Sequence, residues 1–97
     1  MSEKKIHPVP EAFKRQTLMD RATYDRWYEQ SVRDPDTFWA ERADEFLDWQ
    51  TRWDTVSDWD FKEGRAAWFQ GARLNACHNC VDRHLPKRAN QTAIIWE

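Results

Sequence analysis

The chain has 97 residues, with 15 Lys or Arg against 17 Asp or Glu, so its formal net charge is −2. This balance gives no electrostatic basis for binding nucleic acid or an anionic membrane, because neither sign has a surplus to direct at a partner. Seven Trp, five Phe and two Tyr predict a folded chain, since aromatic residues bury large areas. No apolar run reaches the roughly 20 residues that cross a bilayer, and the first ten residues lack a hydrophobic signal core. We therefore expect one modest cytoplasmic domain.

Residues 1–21 are predicted to form an extended and largely solvated arm. Pro8 and Pro10 restrict the backbone of the residues before them to non-helical conformations. The charged residues around them leave little apolar surface to bury. If this arm has a role, we expect it to be docking.

Two amphipathic helices are predicted to follow and to form a hairpin. In the first, residues 22–33, the apolar stripe consists of Tyr24, Trp27, Tyr28 and Val32. Asp34 and Pro35 then start a second helix, because Asp is a good N-cap and Pro is tolerated at the first helical position. This second helix, residues 35–49, places on one face Phe38, Trp39, Ala43, Phe46 and Leu47. Both stripes need a surface to pack against.

Residues 48–64 combine three Trp with four Asp and show no regular period. We predict irregular structure with one short strand near residues 54–57. Trp faces beside carboxylates can form a platform for sugars or bases, but net acidity disfavours nucleic acid. The preferred interpretation is a loop whose large side chains fix it to a larger body.

Residues 66–97 predict a strand from Ala66, a turn containing Gly71, a helix and a final strand at residues 92–97. Asn75 is expected to cap the helix and Pro86 to stop it. Its predicted buried stripe consists of Leu74, Cys77, Val81 and Leu85. The final strand, TAIIWE, would need neighbours on both edges and, without them, could pair with another copy of the chain.

Cys77, Cys80 and His84 are the candidate metal ligands, because a continuous helix would place them at i, i+3 and i+7 on one face. A zinc site wants a fourth ligand, and none recurs at finger or ribbon spacing. A thioredoxin-like pair is a second alternative, but the surrounding βαβ pattern is absent. The preferred interpretation is that the cysteines are buried as small apolar residues.

Asp82, Arg83 and His84 are consecutive, so on a helix they point about 100° apart and cannot face one substrate together. We expect Asp82 and Arg83 to bond to neighbouring backbone or to other parts of the protein. Four cations near the predicted helix are interpreted as a solvated face rather than a phosphate site: Arg73, Arg83, Lys87 and Arg88.

Several motifs resemble a known family in their order and spacing. They are Trp68-Phe69, Gly71, Leu74-Asn75, Asn79-Cys80, Asp82-Arg83-His84-Leu85 and the closing AIIWE, preceded by YDRWYEQSVRDPDTFWAE and LDWQTRWDTVSDWD. Together they resemble the N-terminal region of AMP-forming acetyl-coenzyme A synthetases, which are acetate–CoA ligases of the adenylate-forming superfamily. The resemblance covers almost all of the chain from about Tyr24 onward. Propionyl- and acetoacetyl-coenzyme A synthetases begin similarly.

The resemblance implies a mainly α fold with short β-strands (α+β), forming the N-terminal segment of an adenylate-forming large domain. It implies an arm at residues 1–21, a synthetase N-terminal segment at residues 22–91, and the first strand of the adenylation domain at residues 92–97. The full-length family uses ATP, Mg²⁺ and coenzyme A, and its phosphate loop and later motifs lie beyond the region that resembles this chain. We therefore expect an inactive N-terminal fragment without catalytic, cofactor-binding or metal-binding residues, whose partner is the rest of the adenylation domain. The alternative is a free-standing interaction or zinc-binding module that uses Cys77, Cys80 and His84.

Overall fold

The computed structural model describes residues 5–97, and its longest helix begins after a capping side chain. α2 (Arg21–Arg33) begins after Asp20, whose side chain accepts a hydrogen bond of 2.7 Å from the backbone N of Thr23. This contact satisfies one of the amides that a helix N-terminus leaves unpaired. The predicted helix at residues 22–33 is thus confirmed. Within the described residues, no helix is both long and apolar enough to cross a membrane.

The first of two compact units comprises residues 1–35. The extended arm predicted for residues 1–21 is wrong at α1 (Glu11–Gln16), and residues 1–4 of that arm lie outside the described residues. Pro10 precedes this helix instead of breaking it, and its carbonyl accepts hydrogen bonds from the backbone N atoms of Phe13 and Lys14. Lys14 also forms an ion pair of 2.7 Å with Glu11. The predicted hairpin of the two longer helices stays a prediction.

The second unit, residues 36–97, contains most of α3 (Pro35–Phe46), which is shorter than the predicted 35–49. The helix ends early because side chains bond the backbone there. The indole N of Trp49 donates to the carbonyl of Ala43 at 3.0 Å, and the backbone N of Asp48 donates to Asn79 at 2.7 Å. On the predicted apolar face, Phe38 and Ala43 are buried, whereas Trp39 and Phe46 are exposed.

A two-stranded antiparallel hairpin follows, made of β1 (Thr55–Asp60) and β2 (Arg65–Gln70). The short strand predicted near residues 54–57 is therefore longer, and residues 48–64 are less irregular than predicted. The Asp60 carboxylate starts the turn by accepting from the backbone N atoms of Lys62 and Glu63, and Gly64 completes it with a φ of 66°. The predicted strand from Ala66 is confirmed as β2.

The predicted long helix after Asn75 is replaced by three short pieces. These are α4 (Ala76–Cys80), a 3₁₀ turn (Asp82–His84) and α5 (Leu85–Arg88). The Asn75 cap is confirmed by a 2.9 Å hydrogen bond from the backbone N of His78. The helix then breaks at Val81, whose φ of −127° and ψ of −66° are not helical. Pro86 accordingly lies within the first turn of α5 instead of stopping a helix.

The break leaves the predicted buried stripe on the surface, because its members no longer share one helical face. Cys77, Val81 and Leu85 are exposed. Residues 92–97 form no strand in this structure, so their assignment as the first strand of a larger domain stays a prediction. The α+β class is confirmed by the helices together with the antiparallel hairpin.

Candidate functional site

An aromatic cluster supports one face of the hairpin. The rings of Trp49, Trp53 and Phe69 lie 5.1 to 5.6 Å apart, centroid to centroid, in edge-to-face or tilted geometries that aromatic pairs favour. The Arg52 guanidinium lies 4.8 Å from the centre of the Trp53 ring and forms a 2.8 Å ion pair with Asp44 of α3. The Trp residues of the predicted loop therefore join α3 to the hairpin.

The backbone at the end of β2 is unusual. Phe69 has a φ of 48°, a value that side-chain-bearing residues rarely adopt, and Gly71 has a φ of 78°. A Cβ added to Gly71 would lie 2.5 Å from a carboxylate oxygen of Asp54. Only glycine fits there without displacing that side chain.

The opposite face of the hairpin carries exposed aromatic side chains, although the hydroxyl of Ser57 on this face donates to the carboxylate of Asp36 in α3. The register pairs Ser57 with Trp68 and Trp59 with Ala66, which places the two Trp side chains on the same face. Trp59 and Trp68 are 52% and 55% exposed, and the ring of Phe61 lies 4.8 Å from that of Trp59. We call the set Trp59, Phe61 and Trp68 the hairpin aromatic face. It is an apolar surface that needs cover.

A polar junction is centred on Asn79, which is only 5% exposed. Its side-chain oxygen accepts from the backbone N of Asp48, while its amide N donates to the carbonyls of Asp48 and Asn75 at 3.0 and 2.9 Å. One side chain thus pairs groups from two segments that are 31 residues apart in sequence. We call Asp48, Asn75, His78, Asn79 and Arg83 the Asn79 junction.

Charged groups surround this amide. Arg83 donates through Nε to the carbonyl of Asn79 at 2.8 Å and through Nη2 to the carbonyl of Phe46 at 2.7 Å. Nε2 of His78 lies 3.1 Å from a carboxylate oxygen of Asp48. The prediction that Arg83 bonds to backbone is confirmed. These contacts fix α4 to the end of α3, so the junction has a structural role.

The zinc-binding alternative is unsupported in the part of the chain that the structure describes. Both Cys77 and Cys80 are exposed free thiols, and no group of three or more His, Cys, Asp or Glu side chains could hold a metal among residues 5–97. The helix break at Val81 removes the i, i+7 relation that the alternative required. Nε2 of His84 instead lies 3.0 Å from the carbonyl of Asn79.

The residues present do not fit the triphosphate or the Mg²⁺ that the resemblance implies for the full-length family. A phosphate cradle needs successive glycine amides, and the two glycines of the sequence are separated along the hairpin. Gly71 also borders a carboxylate, which repels an anion. Arg83 is occupied by two carbonyls. We therefore derive no reaction step through these groups.

Neither the burial of Asn79 nor its pairing with Asp48 was predicted from the sequence. One signal was available, because Asn75 and Asn79 are four residues apart and so lie on one face of a helix. A second Asn one helical turn after the capping Asn can reach the same backbone carbonyl, as the amide of Asn79 does at Asn75. The identity of its partner, 31 residues earlier, has no local signature.

Comparison with known proteins gives a consistent set of relatives. A protein-family model described as the acetyl-coenzyme A synthetase N-terminus matches residues 24–80. The chain is 76% identical over 97 residues to an acetyl-coenzyme A synthetase of Alcanivorax borkumensis and 48% identical over 97 residues to one of Halorhodospira halophila. It is 46% identical over 97 residues to acetyl-coenzyme A synthetase 2 of Pseudomonas aeruginosa. Each alignment covers 100% of this chain but only 15% of the relative.

Proposed function

The chain belongs to the family of acetyl-coenzyme A synthetase N-termini, and from this membership we propose that it serves as the structural N-terminal part of such a synthetase. The complete enzyme would convert acetate, ATP and coenzyme A into acetyl-coenzyme A, AMP and pyrophosphate. In this proposal the remainder of the adenylation domain binds ATP, Mg²⁺ and coenzyme A. This chain contributes packing surface and no reacting group. We propose a cytoplasmic location for the complete enzyme.

One observation supports the structural role. The large apolar side chains of the described residues mostly face outward. Nineteen large hydrophobic residues are exposed, whereas the buried hydrophobic residues of the described part are Phe38 and Ala43 alone. A self-sufficient domain buries most of its large apolar side chains, because that burial offsets the conformational entropy lost on folding. The chain spans 15% of the length of its relatives, so a much larger body would be present to cover this surface.

The partner surface that we assign to the rest of the synthetase includes the hairpin aromatic face. Trp59 and Phe61 of this face are in ring contact, and Trp68 lies on the same face of the sheet. Aromatic residues that are rigidly presented make strong contacts in interfaces at low entropic cost. The Asn79 junction would then keep α4 and the end of α3 in a fixed relation while the face docks.

A chimera tests this proposal. The matched 97 residues of the Alcanivorax borkumensis synthetase are replaced by this chain, and acetate-dependent exchange between ATP and pyrophosphate is measured for the chimera and for the isolated chain. We expect exchange by the chimera near the rate of the unmodified relative, and none by the isolated chain.

Substitutions on the face provide the matched comparison. Trp59→Ser and Trp68→Ser together are expected to lower the thermal stability of the chimera by several degrees, because each removes a large buried apolar contact. Ile6→Ser, at another exposed apolar residue outside this face, is the control. Exchange by the isolated chain, or an inactive chimera that is fully folded, would contradict the structural role.

A further inference from the structure

Cys77 and Cys80 lie in α4 at positions i and i+3, with His78 and Asn79 between them. The radius and rise of an α-helix separate such Cα atoms by about 5 Å. This separation falls within the range of about 4.4 to 6.8 Å over which disulfides form. Both side chains are exposed free thiols. The backbone thus already holds the two sulfur-bearing residues at bridging distance.

The two cysteines also point away from the contacts that fix α4. Successive residues turn by about 100°, so Cys77 and Cys80 lie about 60° apart, while Asn79 lies about 160° from Cys77 and 100° from Cys80. Asn79 is buried and makes the hydrogen bonds to Asp48. The side of α4 that carries the thiols can therefore be modified without displacing the Asn79 junction.

The two helical residues between the cysteines, His78 and Asn79, are held by contacts that do not involve sulfur. His78 is engaged at both ends, because its backbone N donates to Asn75 and its ring N lies 3.1 Å from Asp48. A crosslink between Cys77 and Cys80 would close a ring around residues that are already fixed. Little additional backbone order has to be created for the ring to close.

We propose that Cys77 and Cys80 form a redox-active dithiol, which closes to an intramolecular disulfide when a small disulfide such as oxidised glutathione is present. The thiolate of one cysteine attacks a sulfur of oxidised glutathione, the glutathione S–S bond breaks, and one glutathione thiolate leaves. The thiolate of the second cysteine attacks the protein sulfur of this mixed disulfide and expels the second glutathione. Two protein thiols lose two protons and two electrons, and one oxidised glutathione becomes two reduced molecules.

The test is a glutathione redox titration of the chimera with the Alcanivorax borkumensis synthetase, once in native buffer and once in concentrated urea. Free thiols are trapped by alkylation, and the peptide containing residues 77–80 is weighed by mass spectrometry. We expect a crosslinked peptide that is lighter by two hydrogen atoms and is restored by dithiothreitol. The equilibrium constant for closure should be at least about tenfold larger in the native chimera than in urea, which corresponds to a potential about 30 mV lower.

Two variants separate closure from simple reactivity. In Cys77→Ser and in Cys80→Ser the remaining thiol should stop at the glutathione mixed disulfide, since no second thiol can displace glutathione. Accumulation of mixed disulfide in the unmodified chimera, or equal closure constants in native buffer and in urea, would overturn the proposal. The comparison with urea is decisive because any short Cys-x-x-Cys peptide closes to some extent without a fold.

Discussion

At the scale of single residues, the second unit depends on a few side chains with exact surroundings. The Asn79 side chain forms hydrogen bonds with the backbone N–H and C=O of Asp48 and with the C=O of Asn75. In the described part of the chain, no other side chain bonds to these three groups. Buried polar groups contribute little net stability when they are paired, but they cost much when one partner is removed. Removing the buried amide of Asn79 should therefore lower the free energy of unfolding more than removing an exposed amide.

Asn79→Ala is expected to lower the free energy of unfolding by about 1–3 kcal/mol, because it leaves the N–H and C=O of Asp48 without their side-chain partner. Urea denaturation of the chimera with the Alcanivorax borkumensis synthetase, followed by Trp fluorescence, measures the change. Asn90→Ala, at an exposed Asn, is the matched control and should stay within about 0.5 kcal/mol of the unmodified chimera. Equal effects of the two substitutions would show that the junction does not hold the fold.

Gly71 and Gly64 allow backbone strain to be separated from side-chain contact. Both have positive φ, but a Cβ on Gly64 would have nothing within 4 Å, whereas one on Gly71 would meet Asp54. Gly64→Ala should cost about 1 kcal/mol from the left-handed backbone alone. Gly71→Ala should cost about 1 kcal/mol more, because the Asp54 carboxylate must also move.

The double variant Gly71→Ala with Asp54→Ala provides the control for that contact. Relative to Asp54→Ala alone, the cost of Gly71→Ala should fall to that of Gly64→Ala, since the obstructing carboxylate is gone. The free energies of unfolding of the four chains form a double-mutant cycle. A cost that is the same with and without Asp54 would contradict the predicted clash.

At the scale of secondary-structure elements, the N-terminus of α2 depends on an ionised cap. The hydrogen bond from the backbone N of Thr23 lowers the pKa of Asp20 below its ordinary value of 3.8, and the Thr23 side chain acts in the same direction. Since the folded pKa is below the unfolded one, the contribution of the cap to stability is complete above the unfolded value. It is lost as the pH falls below about 3.8 and through the lower folded pKa.

NMR titration of the Thr23 amide tests this pH dependence. We expect its hydrogen bond to weaken only below the ordinary pKa of Asp, with a midpoint under 3.8. Asp20→Asn keeps a good capping oxygen but cannot titrate, so the same amide should show a much smaller change with pH. A midpoint at or above 3.8 in the unmodified chain would contradict the ionised cap.

The sequence pattern predicted two helices whose starts depend on residues close in sequence. The apolar stripe around Trp27 predicted α2, and Asn75 predicted the start of α4. The break at Val81 was not predictable in this way, because Arg83 there bonds to the carbonyl of Phe46, which is 37 residues earlier. The early end of α3 likewise depends on Asn79. Contacts between distant residues thus decide the early end of α3 and the break at Val81, whereas α1, which was predicted as extended, depends on local contacts with Pro10 and Glu11.

At the scale of the whole molecule, the outward-facing apolar residues extend to the C-terminal segment. Ile94, Ile95 and Trp96 are 84%, 80% and 92% exposed. Exposed β-branched and aromatic residues in sequence form a segment that readily pairs with another chain. We propose that this segment joins the sheet of the adenylation domain in the complete enzyme.

Without that partner, the isolated chain is expected to self-associate through residues 92–97. Ile95→Lys should shift the chain to a monomer, because a charge in the segment opposes its pairing with a second copy. Light scattering over a range of concentrations measures the change, and Ile6→Lys, at a similarly exposed Ile, is the control. A monomer at all concentrations for the unmodified chain would show that the segment does not pair.

We propose that the rest of a synthetase covers the hairpin aromatic face, and oxidative footprinting of the Trp side chains tests this coverage. Hydroxyl radicals are applied to the isolated chain and to the chimera with the Alcanivorax borkumensis synthetase, and the oxidation of each Trp is measured by mass spectrometry. We predict that Trp59 and Trp68 are oxidised readily in the isolated chain and protected in the chimera. Trp49 and Trp53, which pack within this chain, should react similarly in both. Equal oxidation of Trp59 and Trp68 in the isolated chain and in an active chimera would contradict the account.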